Sequence, residues 1–444
     1  MCYTYFKKVP VVIILLLAVI AGLYSCGKPQ PDEPEKILNV SKDTIYLSPF
    51  EDVDSVHLIS SDSLRISGLP NWLTVTPTAA IGDIWVIFKY STNFNRYEER
   101  TVRLMVQSGN LSHTITLIQN TSRVPAKAVL FAGGGYFRNT TDYGGRDGIG
   151  NDAMFVYPGN AVFDPKGNLM VADAGKIRSI TPEGVVTTLP GIIQHPFYST
   201  GVNDSWPGPL GAIKDKQGNM YVLDAEESVM YKYAVDGTVS ILAGSKGQRA
   251  YVNGKGAEAK FMVPTCMVMD REGNLIVVDN HTCLRRVTPN GVVTTFAGNF
   301  VSGAADGPAD MAAFELIQSI TTDKAGNFYV AQWGRYATVR KITPQGMVST
   351  LVGGRGVMDG PLIHANIEEP VAIAVDKDGN VFVYDRWKNI RLITTKGFVY
   401  TLSINATFGD NLNGLVVGPD NILYLVESYS GKKIYKIIID KLPG

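Results

Sequence analysis

The sequence predicts an all-β protein: a six-bladed β-propeller preceded by a small β-sandwich. Three observations carry this expectation. A Gly-Asn marker recurs along the C-terminal part of the chain, at Gly167, Gly218, Gly273, Gly326 and Gly379, and a period near 50 residues is the signature of propeller blades. Residues 37–122 alternate short apolar runs with turn residues, as strands of a sandwich do. The composition agrees, with 45 glycines in 444 residues and Tyr (21) ahead of Phe (17). The same arithmetic excludes several classes. An apolar content of 45% is too high for a disordered chain. Lys+Arg and Asp+Glu both total 41, so there is no basic excess to track phosphates, and nucleic acid is not an expected partner.

Residues 1–25 read as an address. Lys7 and Lys8 precede an apolar run from Val9 to Leu23, short for a membrane span and suited to the core of a secretory signal peptide. The run ends in Leu23-Tyr24-Ser25-Cys26, which resembles a bacterial lipobox. The resemblance implies that Cys26 is lipidated and becomes the mature N-terminus. Residues 26–36 form an acidic, Pro-rich linker, similar to the export signal of Bacteroidetes surface lipoproteins, and this implies an outer-membrane protein facing the cell exterior. Only Cys266 and Cys283 then remain, so no disulfide framework is expected.

Residues 37–122 contain seven candidate strands: ILNV, TIYL, SVHLIS, WLTVTP, DIWVIFKYS, RTVRLMVQ and HTITLIQ. Trp72 and Trp85 sit in apolar runs and are expected in the core. The segment resembles the BACON domain, with Trp72, Asn95, Arg100 and Gln119 carrying the match. That resemblance implies a stalk between a lipid anchor and a glycan-acting module.

Residues 125–444 are one unit read six times. The marker is flanked by apolar strands, as in FDPKGNLMVAD and MDREGNLIVVD, and a sixth copy, GPDNILYLVE, places Asn421 at the glycine position. A tight hairpin needs positive φ there, and Asn is the non-glycine residue that tolerates it best. Six residues after the marker stand Asp173, Asp224, Asp279, Gln332, Asp385 and Glu427. They are expected to accept local backbone hydrogen bonds and to pair with third-strand arginines such as Arg178, Arg286 and Arg391. A third strand, a TPxG-type turn and a fourth strand complete the unit. The last copy lacks its fourth strand, and KAVLFAG at 127–133 matches that missing strand, so the ring should close with the N-terminal strand. Four inter-unit connections share a longer pattern, with Ala153, Ala259, Ala312 and Ala365 five residues after its first glycine and Phe155, Phe261, Phe314 and Ile367 seven after. Spacing, turns and closure together resemble NHL-repeat propellers.

With strands a to d counted from the axis, the b–c and d–a connections share one face and are long and varied. The b–c loops offer His281, Trp333, Tyr336, Trp387 and Tyr429; the first d–a loop offers His195, Tyr198 and Trp206. Aromatic side chains on rigid loops suit stacking against sugar rings. Trp206, Trp333, Trp387, Tyr336, Tyr429, Tyr198 and His281 are therefore the candidate ligand-binding residues. The expected role is non-catalytic glycan binding as an accessory of polysaccharide uptake, with no cofactor and no metal. Two alternatives stay open. One is a propeller scaffold for an outer-membrane protein partner. The other is a metal-dependent lyase or lactonase, which would need His195, His281 and His364 to converge. His364 shares its repeat position with Met311, which suggests packing. Neither HExxH nor GxSxG occurs.

Overall fold

The computed structural model describes residues 35–50, 52–93, 98–121, 123–135, 145–191, 209–354, 356–406, 408, 412–428, 431–440 and 442. Cys26 and the rest of the leader and linker up to 34 lie outside them, as do Asn95, His195, Tyr198, Trp206 and Tyr429. Among the described residues there is no α-helix; the chain is all-β with a propeller arrangement.

The N-terminal domain is built from β1 (Leu38–Val40), β2 (Thr44–Leu47), β3 (Asp52–Ser67), β4 (Leu73–Thr76), β5 (Ala79–Tyr90), β6 (Arg100–Ser108) and β7 (Leu111–Gln119). They form one sheet in the order β2-β7-β6-β3-β5-β4, with β1 added on β3. β3 pairs with β5 over Asp52–Ser60 and again at Leu64 and Arg65, after a register break between Ser60 and Leu64, and its Leu64–Ser67 stretch pairs on the other side with β6. A bulge of this kind bends the strand, and the two halves share one core of Val56, Leu58, Leu64, Val86, Phe88, Leu104 and Leu117. The sandwich is thus a single sheet folded over itself.

Trp85 is not in that core, contrary to expectation. Strand side chains alternate between faces. Val86, Phe88 and Tyr90 of β5 take the inside, so Trp85 points out and is 62% exposed. It packs at a tilt against His57 of the paired strand, with ring centroids 4.9 Å apart. The run WVIF is apolar on both faces, and its composition does not reveal which parity is buried. Trp72 does pack against the core, under the Arg100 guanidinium at 4.6 Å. Arg100 donates to Gln119 Oε1, and Gln119 Nε2 donates to the carbonyl oxygens of Pro49 and Ser91. Three of the four residues behind the BACON-like pattern therefore form one polar joint beneath Phe50.

Six four-stranded antiparallel units follow. Unit 1 has Pro158–Phe163, Leu169–Asp173, Lys176–Ile180 and Val185–Thr188; unit 2 has Pro209–Lys214, Met220–Asp224, Val229–Tyr233 and Val239–Ala243. Unit 3 has Pro264–Met269, Leu275–Asp279, Cys283–Val287 and Val292–Ala297; unit 4 has Ile317–Thr322, Phe328–Gln332, Thr338–Ile342 and Val348–Gly353. Unit 5 has Pro370–Val375, Val381–Asp385, Ile390–Ile393 and Phe398–Ile404. Unit 6 has Leu412–Val417, Leu423–Glu427 and Lys433–Ile439, and its fourth strand is β8, Arg123–Gly133. The a strands neighbour one another in a closed cycle from unit 1 to unit 6 and back.

Strand β8 makes two kinds of pairing. Its Ala126–Gly133 stretch runs antiparallel to Lys433–Ile439 of unit 6. Its first residues, Arg123–Ala126, run parallel to Thr401–Ile404 of unit 5. The seam between the last two units is therefore sewn by main-chain hydrogen bonds. Phe50 of the sandwich seals the same place, stacked on Phe398 at 5.6 Å and tilted against Tyr400 at 5.4 Å. Burial, then the nearby Asp359 and Tyr90, pushes the Tyr400 phenol up to about 12.

Within each unit the a–b hairpin is locked by its own sequence. In units 1 to 5 the aspartate three residues before the marker glycine (Asp164, Asp215, Asp270, Asp323, Asp376) accepts hydrogen bonds from the backbone and side-chain nitrogens of the asparagine that follows. The marker residue takes positive φ in each copy, from +83° to +92° at the glycines and 62° at Asn421.

The longer pattern has a structural cause. Arg178, Arg285, Arg340 and Arg391 occupy one equivalent position on strand c, and all four are fully buried. Arg178 donates to Asp173 at 2.7 Å, to Asp147 at 2.9 Å, and to the carbonyl oxygens of Met154 and Arg146. Arg285 repeats this with Asp279, Asn253, Lys260 and Val252, and Arg340 with Gln332, Asp306, Ala313 and Ala305. Arg391 bonds Asp359, Asn366 and Met358, while Asp385 accepts instead from Asn389. The expected partner of Asp279 was Arg286. The structure assigns that role to Arg285, because strand alternation turns its neighbour outward, over the Phe296 ring at 4.4 Å. Phe155, Phe261 and Phe314 of the pattern lie under the guanidinium groups of Arg178, Arg285 and Arg340. Tyr231 and Tyr435 stand in place of the arginine in units 2 and 6, which are the two units whose incoming connections lack the pattern.

Two measurements test this packing. Arg178→Ala leaves Asp173 buried without its cation and should cost about 3–5 kcal/mol in denaturant unfolding; a loss below about 1 kcal/mol would refute the brace. The two free cysteines are buried, and burial pushes the Cys266 thiol up to about 12 and raises Cys283 as well. A raised thiol stays protonated and unreactive at pH 8. Both should resist alkylation in the native protein and react fully in denaturant.

Candidate functional site

The b–c loops grow from the ends of the buried b strands, and in units 3, 4 and 5 the residue preceding strand a meets them. Asn280, Trp333 and Arg386 are equivalent, each one residue past strand b in units 3, 4 and 5. Their N–H groups donate to the carbonyl oxygens of Val263, Leu316 and Glu369 at 2.8, 3.1 and 3.1 Å. Each loop is thereby tied to the strand-a entrance of its own unit. Positive φ at Asn280, His281, Leu316, Glu369 and Lys388 concentrates backbone strain on this face, which rigid packing below must hold.

Three of the expected residues stand on the b–c loops of units 4 and 5. Trp333, partly buried in unit 4, carries the Arg386 guanidinium of unit 5 over its ring at 5.1 Å. Trp387 follows Arg386 and is 64% exposed. Tyr336 is exposed, its N–H held by Glu315 at 3.1 Å and its ring covered by Arg335 at 5.6 Å. Arg386 also reaches Glu369 at 3.5 Å. The result is a ledge of aromatic and guanidinium groups across units 4 and 5. Arg386, Arg335 and Glu369 were not among the sequence candidates. Their signal was weak but present: each arginine adjoins a candidate aromatic, in Arg386-Trp387 and Arg335-Tyr336.

His281 has a different setting. Its ring Nδ1 lies 2.7 Å from the carbonyl oxygen of Ile317, and its own carbonyl accepts the Ile317 N–H. It joins unit 3 to unit 4. Beside it, Asn280 Nδ2 donates to the Tyr251 hydroxyl at 2.7 Å, and Tyr251 packs on Phe300 at 4.5 Å, a second aromatic group that sequence reasoning missed. Phe408 belongs to the core, edge-on to Tyr435. His364 and Met311, expected to pack, are both exposed; they sit on short turns whose buried residues are the neighbouring Ala365 and Ala312. Tyr198, Trp206 and Tyr429 fall outside the described residues. Among the described residues, no three His, Cys, Asp or Glu side chains gather as a metal would require.

Known protein families provide no match to the chain. Over 271 residues it is 24% identical to teneurin-3 of Danio rerio, and over 265 residues 26% identical to teneurin-3 of Mus musculus. The alignments cover 53% and 52% of this chain but 10% of each relative, so the chain spans about a tenth of the length of the curated relatives it matches. Among solved structures, it resembles an auxiliary nutrient binding protein of Bacteroides thetaiotaomicron (TM-score 0.51, 14% identity, 92% of this chain and 98% of that one). Similar are an auxiliary nutrient binding protein of Bacteroides ovatus (0.51, 13%, 93% and 99%) and a Bacteroides thetaiotaomicron protein of unknown function (0.50, 17%, 92% and 99%). At these identities the likeness shows the fold.

The ledge makes a prediction about stability. Trp387→Ala should change unfolding free energy by less than about 0.5 kcal/mol, as exposed substitutions do. Trp333→Ala removes half-buried area and a cation–π contact and should cost about 1–2 kcal/mol. Equal losses in denaturant titrations would show that Trp387 is not a free surface group.

Proposed function

We propose that this chain is a non-catalytic, lipid-anchored surface protein that binds a glycan on its loop face, as an accessory of polysaccharide uptake. The observation that carries the reading is Trp387, 64% exposed on a loop whose backbone is pinned to strand a and whose neighbour Arg386 is stacked on Trp333. A large aromatic side chain held rigidly in water has lost little by being fixed and gains contact area when a ligand covers it. The C–H face of a sugar ring is apolar and matches the indole. The fold neighbours that are auxiliary nutrient binding proteins support a binding role, and the leader ending at Cys26 supports an anchor at the outer membrane.

The test is an affinity-gel and oligosaccharide screen of the purified chain against Trp387→Ala and Trp333→Ala. Loss of tenfold or more in affinity, about 1.4 kcal/mol, is expected for each variant with the fold intact. Absence of binding to every glycan, or affinity untouched by both substitutions, would sink the proposal. Capture of an outer-membrane protein instead would favour the scaffold reading.

A further inference from the structure

The fold uses arginine in two ways, and the contrast is informative. On strand c each repeated arginine is fully buried with three or four hydrogen bonds. On the ledge Arg386 has a side chain 61% exposed, and its salt bridge to Glu369 spans 3.5 Å. An exposed, long ion pair of this kind contributes little to stability. Arg335 is exposed over Tyr336 and pairs with no carboxylate among the described residues. Two carboxylates also face the ledge, and both are engaged: Glu369 by Arg386, and Glu315 by the Tyr336 N–H and the Ser302 hydroxyl.

We propose that the ligand of this face is a uronate-bearing oligosaccharide, with a sugar ring on Trp387 and carboxylates on Arg386 and Arg335. The inference rests on the glycan reading and sharpens it. A guanidinium stacked on an aromatic ring keeps its N–H edges free for a planar anion and is less strongly hydrated than an ammonium. A neutral glycan covering Trp387 would desolvate these cations with no charge to answer them. A sugar carboxylate answers them and competes with Glu369 for Arg386. Two cation–aromatic pairs, Arg386 of unit 5 on Trp333 of unit 4 and Arg335 on Tyr336 within unit 4, provide for two carboxylates along one chain.

The detergent-solubilised full chain is titrated calorimetrically with oligomers of galacturonate, glucuronate and mannuronate, with their methyl esters, with a neutral β-glucan oligomer and with an acidic peptide. One of the acid oligomers should bind at least tenfold tighter than its methyl ester, and the margin should shrink as salt rises from 20 to 500 mM, values chosen to span about a threefold or greater change in screening length. The double change Arg335→Ala with Arg386→Ala should erase the margin between acid and ester, and Arg335→Ala with Arg386→Lys should restore part of it. Equal binding of acid and ester, or preference for the neutral oligomer, overturns the uronate assignment and leaves the glycan reading standing. Binding of the acidic peptide with no oligosaccharide overturns both.

Discussion

The propeller depends on a guanidinium group buried where three strands and a connection meet. Taking an arginine fully out of water is costly unless its charge and N–H groups are answered. Here the charge and the terminal NH2 groups are answered from distant parts of the chain, while the Nε of Arg178, Arg285, Arg340 and Arg391 has no hydrogen-bond partner among the described residues. Asp173 lies at the end of strand b, Asp147 precedes the unit, and Met154 and Arg146 supply carbonyl oxygens. Asp147 also accepts from the backbone and side chain of Thr188 on strand d. Partial burial works against its ionised form, but these hydrogen bonds and the Arg178 charge win and hold its carboxyl below the usual range. One cation thus fixes strands b, c and d against the incoming connection. The arrangement recurs with changes in units 3, 4 and 5: Asn253 takes the place of Asp147, Gln332 that of Asp173, and in unit 5 Asp385 turns to Asn389 while Arg391 keeps Asp359 and two carbonyl oxygens. It accounts for the Phe position of the repeat in units 1, 3 and 4, where Phe155, Phe261 and Phe314 lie beneath the guanidinium.

Units 2 and 6 break the rule together with their connections. Tyr231 and Tyr435 carry no charge to be answered, and no patterned connection delivers a carboxylate; burial, then the nearby Glu427, pushes the Tyr435 phenol up to about 12. Unit 6 is held instead by closure. Strand β8 supplies its outer edge and reaches back to pair with unit 5, and Phe50 packs onto Phe398 and Tyr400 of unit 5. The residue that inserts is anchored by Gln119 and Arg100 through the Pro49 carbonyl and its neighbours. The sandwich is therefore joined to the ring at its closing seam, where the first and last strands of the ring pair. A loose tether would leave that seam to the β8 hydrogen bonds alone.

Rigidity below allows variation above. Because strand b ends in a buried acid or amide, the next residue begins the loop at a fixed place, whether it is Asn280, Trp333 or Arg386. The side chains at that one position differ completely, while the backbone hydrogen bond to strand a is the same. The ledge arises from this: Arg386 of unit 5 reaches sideways to Trp333 of unit 4, a contact across a unit boundary.

Repeat spacing, hairpin chemistry and ring closure were all legible in the sequence, because they are local or periodic. Asp164 to Asn168 closes a hairpin within five residues, and Asn421 takes a glycine conformation for reasons internal to the turn. The seven sandwich strands could be read from alternation for the same reason. What alternation leaves undetermined is parity when both faces are apolar. That is why Trp85 emerged on the surface, and why Arg285 rather than Arg286 proved to be the buried cation. The site shows the same division. Trp333, Tyr336 and Trp387 could be picked out as aromatic residues in loops. Arg335 beside Tyr336 is local, but Arg386 above Trp333 could not be read, since that contact follows from where two units, 53 residues apart at their marker glycines, place their loops. The sequence by itself determined which residues turn and which alternate. The tertiary structure decided which charges are buried and which stand in water, because burial is set by neighbours brought from elsewhere in the chain.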